Sequence, residues 1–179
     1  MNAADGAGMG IQSRAHTAES GIVACRPNLN RCAQTMSMEI RAFQPADETA
    51  VIALWRDCGL LRQWNDPALD IRRKLGLGAD LFLVGVLERA IVASIMAGYE
   101  GHRGWLNYLA VAPDHRHRGL GRMLVAEAER RLGAAGCPKV NLQIRTSNYD
   151  AIEFYRRLGY SMDDVVSMGK RLVSDDTGA

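Results

Sequence analysis

The stretch "APDHRHRGLGRMLVAEAERRL", residues Ala112–Leu132, places a basic segment with two glycines directly before a predicted helix. Leu120, Leu124, Ala128 and Leu132 follow one another at four-residue steps and predict one apolar helix face. The first backbone N–H groups of such a helix have no partner inside it, and the helix dipole adds partial positive charge there. The start of this helix is therefore a candidate anion site.

The residues around the helix start favour a phosphate. Gly119 and Gly121 carry no Cβ, so a ligand can approach their backbone closely, and Arg116, Arg118 and Arg122 add positive charge. A Walker A loop requires G-x-x-x-x-G-K-[ST], and a dinucleotide fingerprint requires a third glycine after the first strand. Neither is present, so the phosphates of a mononucleotide or a dinucleotide are poor ligands. A solvated basic turn, with glycines only for its geometry, stays open as the alternative.

Composition limits the function classes. The chain has 179 residues, is 47% hydrophobic and has a net charge of +2, which fits one globular domain and argues against a wholly basic nucleic-acid binder. The four cysteines show no C-x-x-C spacing, so we expect reduced thiols and a cytoplasmic protein. No apolar run is long enough to span a membrane. Residues 1–36 show no sustained period and are predicted to be a disordered extension before a domain at 38–173.

Strand and helix patterns alternate along that domain. Strands are predicted in "MEIRAF", in "LFLVGVLERAIVASIMAGY" with a hairpin turn at Glu88-Arg89, and in "WLNYLAV", "KVNLQI" and "DDVVSMGKRL". Two helices before the hairpin are predicted to begin at the N-caps Asp47 and Asp66. The order β-α-α-β-β-β-α-β-α-β predicts an α/β (α+β) fold with a mixed, mostly antiparallel sheet flanked by helices.

Two motifs resemble those of a known family. Arg116-x-x-Gly119-x-Gly121 resembles the Q/R-x-x-G-x-G/A loop of the GCN5-related N-acetyltransferases (GNAT). Further on, "NYDAIEFYRRLGY" at 148–160 is similar to the second signature of that family, N-x-x-A-x-x-F/L-Y-x-x-x-G-F/Y. The resemblance covers about 38–172 and implies the GNAT fold. The segments "LLRQWNDPALDI", "GYEGHRG" and "GCPK" further resemble its YpeA type of small bacterial acetyltransferase.

The resemblance implies acetyl-CoA as co-substrate and transfer of its acetyl group, by direct attack, to a primary amine of a small molecule or peptide. The fourth and fifth strands of the family splay apart near a bulge, where backbone groups hold the pantetheine and the acetyl carbonyl, and the glycine loop binds the pyrophosphate. The implied cofactor-binding residues are Leu109, Ala110, Val111, His117, Arg118, Gly119, Leu120, Gly121, Arg122 and Asn148. No metal, nucleic-acid or membrane partner is expected, and the protein is expected to be a monomer or homodimer.

The resemblance also implies that Tyr155 assists departure of the CoA thiolate. A lysine-like amine has a pKa of about 10.4, so the attacking nitrogen needs help in losing a proton. One branch of the family, which acetylates the N-terminal alanine of a ribosomal protein, carries a glutamate base in an "LEVR" stretch. This chain has "LQIR", and Gln143 cannot act as a base. Glu100 is the candidate base, with His102 and Asp150 as alternatives.

The acceptor and the catalytic competence stay open at this stage. Trp64, in "LRQWNDP" where the family builds its acceptor pocket, and His102 are candidate substrate contacts. A protein N-terminal or lysine acetyltransferase and a non-catalytic acyl-CoA sensor are alternative functions. A nucleic-acid binder using the basic loop is weaker, because no aromatic residues alternate with its arginines.

Overall fold

The computed structural model describes residues 37–175, and the prediction of a disordered extension at 1–36 lies outside the described residues. The strands are β1 (Glu39–Ala42), β2 (Phe82–Leu87), β3 (Ala90–Tyr99), β4 (Gly104–Val111) and β5 (Val140–Leu142). The helices are α1 (Glu48–Asp57), α2 (Pro67–Gly76), α3 (Leu120–Ala134) and α4 (Tyr149–Arg157). In this part of the chain, no helix has the length and apolar character to cross a membrane.

The strands form one sheet in the order β1-β2-β3-β4-β5. The first four pair antiparallel with their neighbours, and β5 pairs parallel with β4, which confirms the predicted mixed, mostly antiparallel sheet. The predicted hairpin turn is also confirmed, since Glu88 and Arg89 join β2 to β3 with φ angles of 49° and 68°. Two successive residues with positive φ are typical of the tight turns whose twist matches a hairpin.

The sheet separates two apolar layers. On one face, Leu83 and Ile95 pack in a cluster with Leu124 and Leu132 of α3. On the other face, Trp55 of α1 and Ile71 of α2 lie in a second cluster together with Phe82, Val84 and Ala110. The alternation of side chains along each strand assigns successive residues to these two layers. Residues of β4 can therefore reach α3 on one side and α1 with α2 on the other.

The two predicted helix caps differ in outcome. Asp66 caps α2, because its Oδ1 accepts hydrogen bonds from the backbone N–H groups of Ala68 at 2.8 Å and Leu69 at 3.2 Å. Asp47 stands at the N-cap position of α1, as predicted, but its side chain makes no capping hydrogen bond to that helix. Its carboxylate instead accepts two hydrogen bonds from the Arg41 guanidinium, at 2.6 and 2.8 Å. A charge-assisted bidentate pair is stronger than a bond to one neutral N–H.

The predicted last strand is also wrong. Residues 161–175 contain no strand, although "DDVVSMGKRL" has strand-forming residues. Side chains hold this segment beside β5, through Lys139 Nζ to Asp163 at 2.6 Å and Gln143 Nε2 to the Ser167 hydroxyl at 2.6 Å. A strand requires a backbone ladder with a neighbour, and among the described residues no backbone hydrogen bond joins this segment to β5.

Candidate active site

The loop before α3 presents a row of unpaired backbone donors. Among the described residues, none of the six backbone N–H groups from His117 to Arg122 donates to a backbone acceptor, and the first that does is Met123, to the Gly119 carbonyl at 3.1 Å. His117 and Gly119 have φ angles of 59° and 81°, both left-handed. Left-handed residues alternating with other conformations turn successive N–H groups toward one concavity that suits an anion. The loop therefore has the geometry of a candidate anion site, and we call residues His117–Arg122 the cradle.

Three arginines surround this cradle without a neutralising carboxylate. Arg116 Nε donates to the Val111 carbonyl at 3.2 Å, which ties the loop back to the end of β4. Arg118 Nη1 lies 3.0 Å from His115 Nδ1. In the part of the chain that the structure describes, neither these two arginines nor Arg122 forms an ion pair. Their charge remains available to a ligand.

The two glycines of the loop serve different purposes. A Cβ at Gly119 would meet no atom within 4 Å, so its left-handed φ is what requires glycine there. A Cβ at Gly121 would lie 3.3 Å from the Phe154 ring and 3.5 Å from Val111. The absence of a Cβ at Gly121 therefore lets α4 and the end of β4 pack closely against α3. The sequence predicted ligand approach or turn geometry for both glycines, and the packing role of Gly121 was missed.

A bulge and a splay lie in β4 just before the loop. Ser94 and Met96 of β3 pair with Ala110 and Asn107, so Tyr108 and Leu109 together stand opposite a single β3 residue. Pairing of β4 with β5 stops at Leu106–Leu142, and β4 continues to Val111 paired only with β3. Backbone groups of 109–111 on the β5 side therefore have no strand beside them. The bulge begins one residue earlier than the stretch 109–111 that the family resemblance indicates.

Buried polar contacts hold the bulge in place. Tyr108 has a φ of 52°, which costs a non-glycine residue roughly 1–3 kcal/mol. Its ring stacks on Trp55 with centroids 4.2 Å apart. The Trp55 indole N–H donates to the fully buried Ser94 hydroxyl at 2.9 Å, and that hydroxyl is 3.5 Å from the Tyr108 carbonyl. Trp55 and Ser94 thus connect the core to the strained residue.

Replacing Ser94 with alanine is expected to lower the free energy of unfolding by about 1–3 kcal/mol, since the buried Trp55 indole N–H would lose its acceptor. Urea denaturation monitored by circular dichroism measures this change. The double variant with Trp55→Phe should show a clear coupling, because the second substitution removes the orphaned donor. Additive losses would contradict a connection through this hydrogen bond.

Tyr155 is buried between α3 and α4. It makes edge contacts with the Phe154 and Tyr160 rings, at 5.0 and 5.3 Å between centroids. No hydrogen bond to its hydroxyl is present within residues 37–175, whereas the Tyr160 hydroxyl donates to Glu129 at 2.7 Å. Burial, assisted by the charge of Glu129, raises the pKa of Tyr155 well above its usual value. The phenol therefore keeps its proton at neutral pH.

The remaining predicted residues lie in different places. Asn148 caps α4, with its Oδ1 accepting from the Ala151 N–H at 3.2 Å. Glu100 and His102 lie in the turn between β3 and β4, about 16 Å of extended strand before the bulge. A hydrogen bond from the Arg103 backbone N–H, at 2.8 Å, lowers the pKa of Glu100. The structure thus brings the loop, the bulge and α4 together, but not Glu100 or His102.

The α2 side of the bulge contains two residues that sequence reasoning missed. The Tyr108 hydroxyl donates to Asp70 Oδ2 of α2 at 2.6 Å, and Asn65 lies beside that hydroxyl. Burial and the bond to Asp70 raise the pKa of Tyr108 to about 12. Trp64, half exposed, precedes Asn65 in the same segment. Nothing in the sequence marked Tyr108 and Asp70 as a pair. Tyr108 occupies an ordinary strand position, and Asp70 is one of the acidic residues that are common in the first turn of a helix.

Comparisons with known proteins agree with this geometry. The model of the acetyltransferase (GNAT) family matches residues 42–160. An acetyltransferase of Yersinia enterocolitica is 49% identical over 138 residues, which is 77% of this chain and 98% of that protein. An acetyltransferase of Sodalis glossinidius is 50% identical over 139 residues, with the same shares covered.

A solved structure has the same fold at low identity. An aminoglycoside N-acetyltransferase in complex with CoA matches with a TM-score of 0.61 and 18% identity, covering 76% of this chain and 96% of that one. At this identity the likeness shows the fold alone. It confirms the predicted α/β architecture, in which a mostly antiparallel sheet is flanked by helices.

Proposed function

We propose that this chain, which belongs to the acetyltransferase (GNAT) family, transfers the acetyl group of acetyl-CoA to the nitrogen of a primary amine on a small molecule or peptide. The observation that carries the proposal is the row of six unpaired N–H groups from His117 to Arg122. This row follows the end of β4, which no longer pairs with β5 beyond Leu106. The N–H groups suit a diphosphate, and the end of β4, which has no strand on its β5 side, suits an extended amide-containing arm.

The cofactor would be held mainly by backbone. The N–H groups of His117, Arg118, Gly119, Leu120, Gly121 and Arg122 would bind the pyrophosphate, supported by the unpaired arginines. The backbone of Leu109, Ala110 and Val111, which has no strand on its β5 side, would pair with the pantetheine amides and polarise the acetyl carbonyl. Asn148 keeps its amide NH₂ available for the cofactor arm while its oxygen caps α4.

Tyr155 would donate a proton to the departing thiolate. A tyrosine phenol is protonated at neutral pH, and the Tyr155 hydroxyl has no acceptor among the described residues that would compete for the proton. Glu100 could act as base only through a chain of waters, because its turn lies at the far end of β4. His102 lies in the same distant turn, which argues against it as a substrate contact. Trp64, in contrast, lies in the segment that reaches Tyr108 through Asn65.

Calorimetry followed by a thiol-release assay tests this function. Acetyl-CoA should bind the purified protein, and CoA thiol should appear only when an accepted amine is added. The panel contains amino acids, polyamines, aminoglycosides, an alanine-initiated peptide and a lysine peptide, so it also separates small-molecule from protein acceptors. Binding without thiol release from any amine would favour the acyl-CoA sensor, and absence of binding would overturn the proposal.

A further inference from the structure

A tyrosine–aspartate pair stands at the bulge, on the face of the sheet opposite α3. Tyr108 donates to Asp70 Oδ2 at 2.6 Å, and Asp70 Oδ1 accepts from Arg73 Nη1 at 3.2 Å. Each oxygen of the carboxylate therefore has its own partner, which fixes the direction of the bond from Tyr108. The pair joins β4 to α2 across the boundary of the second apolar layer.

The ring, the carbonyl and the hydroxyl of Tyr108 are each held by a separate contact. Its ring stacks on Trp55, its carbonyl faces Ser94 and its hydroxyl bonds Asp70. Three contacts on three elements hold a backbone conformation that tyrosine rarely adopts. Packing alone would be satisfied by an aromatic ring without a hydroxyl, so the hydroxyl and its carboxylate need a separate explanation.

We propose that Tyr108 receives the acceptor amine and that Asp70, acting through Tyr108, takes up the proton the amine loses. This inference rests on the proposed function. Tyr108 is a half-buried residue whose proton is committed to Asp70, so beside Asn65 its hydroxyl oxygen has lone pairs, and no proton, to offer a ligand. An amine N–H is the complementary donor. Leu109, the next residue, belongs to the backbone stretch assigned to the acetyl group, which places nucleophile and electrophile at adjacent residues.

The step balances in atoms and charge. The amine nitrogen uses its lone pair to form the bond to the thioester carbonyl carbon, and the C–S bond breaks with its electron pair leaving on sulfur. Before this attack, the ammonium form of the amine gives one proton to the Tyr108 oxygen while the Tyr108 proton moves to Asp70 Oδ2, and this frees the lone pair. The thiolate takes a proton from Tyr155, Tyr155 regains one from the nitrogen of the new amide through solvent, and Asp70 later returns its proton to solvent. The products are the N-acetyl amine and CoA.

Other charged groups adjoin the pair. Arg73 binds Asp175 of the C-terminal segment at 2.6 and 3.1 Å as well as Asp70. Arg171 of that segment donates to Asn65 at 3.1 Å. Any pH profile of the reaction therefore includes Asp175, Arg73 and Arg171 as neighbours of the pair.

The test compares Tyr108→Phe and Asp70→Asn with Tyr99→Phe as the matched control. The Tyr99 hydroxyl bonds the carbonyls of Gly101 and Gly136, away from the bulge. With the amine that the wild type turns over fastest, kcat/KM for that amine should fall roughly 100-fold in the first two variants. Their calorimetric affinity for acetyl-CoA should stay within about twofold, and Tyr99→Phe should behave as wild type.

The pH profile separates proton transfer from structural support. Without the relay, only amine that is already neutral can react, so log kcat/KM of the variants should rise by about one unit per pH unit up to the amine pKa. A uniform loss at every pH, or unchanged kcat/KM in Tyr108→Phe, would overturn the inference while the proposed function stands. Absence of turnover in the wild type itself would overturn both the inference and the proposed function. This outcome is distinguished from failure of the inference alone because it is seen without any variant.

Discussion

Replacing Gly119 with valine is expected to weaken acetyl-CoA binding roughly a hundredfold while the fold is retained. Gly119 has a φ of 81°, a conformation that a β-branched residue avoids, yet a Cβ there would meet no atom within 4 Å. The substitution therefore acts on the backbone and not through a clash. Turning the N–H groups of the cradle away from the pyrophosphate would lose two charge-assisted hydrogen bonds, about 3 kcal/mol together.

Two further variants make this result specific. Gly119→Asn should keep the affinity within about tenfold, because asparagine enters the left-handed region more readily than valine. Gly121→Ala should instead lower the melting temperature, since its Cβ would press on Phe154 from 3.3 Å. Calorimetry and thermal unfolding on all three proteins separate these effects. Unchanged affinity in Gly119→Val would remove the loop from the cofactor site.

The sequence predicted the elements whose signals are local. Asp66 followed by Pro67 predicted the start of α2 because the cap is made within three residues. The hairpin at Glu88-Arg89 and the helix after Gly119 are likewise local patterns. Asp47 precedes α1 as predicted but makes no capping bond, because its carboxylate has a better partner on a different element, Arg41 of β1. No local rule reports that competition.

The candidate site also divides into features that follow from local sequence and features that depend on contacts between distant elements. The glycine loop could be predicted from its motif, because its unpaired N–H groups follow from a helix start and two left-handed residues. The bulge could be expected only from the family resemblance, and one residue too late, since its position arises from the register between β3 and β4 around Ser94. The contact between Tyr108 and Asp70 spans 38 residues of sequence and depends on how α2 packs over the sheet. Such a pair becomes visible only when the chain is folded.

Replacing Tyr155 with phenylalanine is expected to reduce turnover roughly ten- to a thousandfold, in keeping with the loss of one general acid. The buried ring and its contacts with Phe154 and Tyr160 stay in place. Because the hydroxyl has no hydrogen-bond partner within residues 37–175, its removal should leave the melting temperature nearly unchanged. The KM for acetyl-CoA should also change little, since backbone groups supply most of the proposed cofactor contacts.

The pH dependence of this defect identifies its cause. A thiol has a pKa of about 8.5, so above that pH the CoA thiolate departs without needing a proton, and the variant should approach wild-type turnover as pH rises. The raised pKa of Tyr155 keeps the wild-type donor protonated throughout this range. Tyr160→Phe, which removes a hydroxyl bonded to Glu129, is the control and should show no such trend. Wild-type turnover of Tyr155→Phe from about pH 6 to 9 would make Tyr155 a packing residue, and the thiolate would then take its proton from solvent.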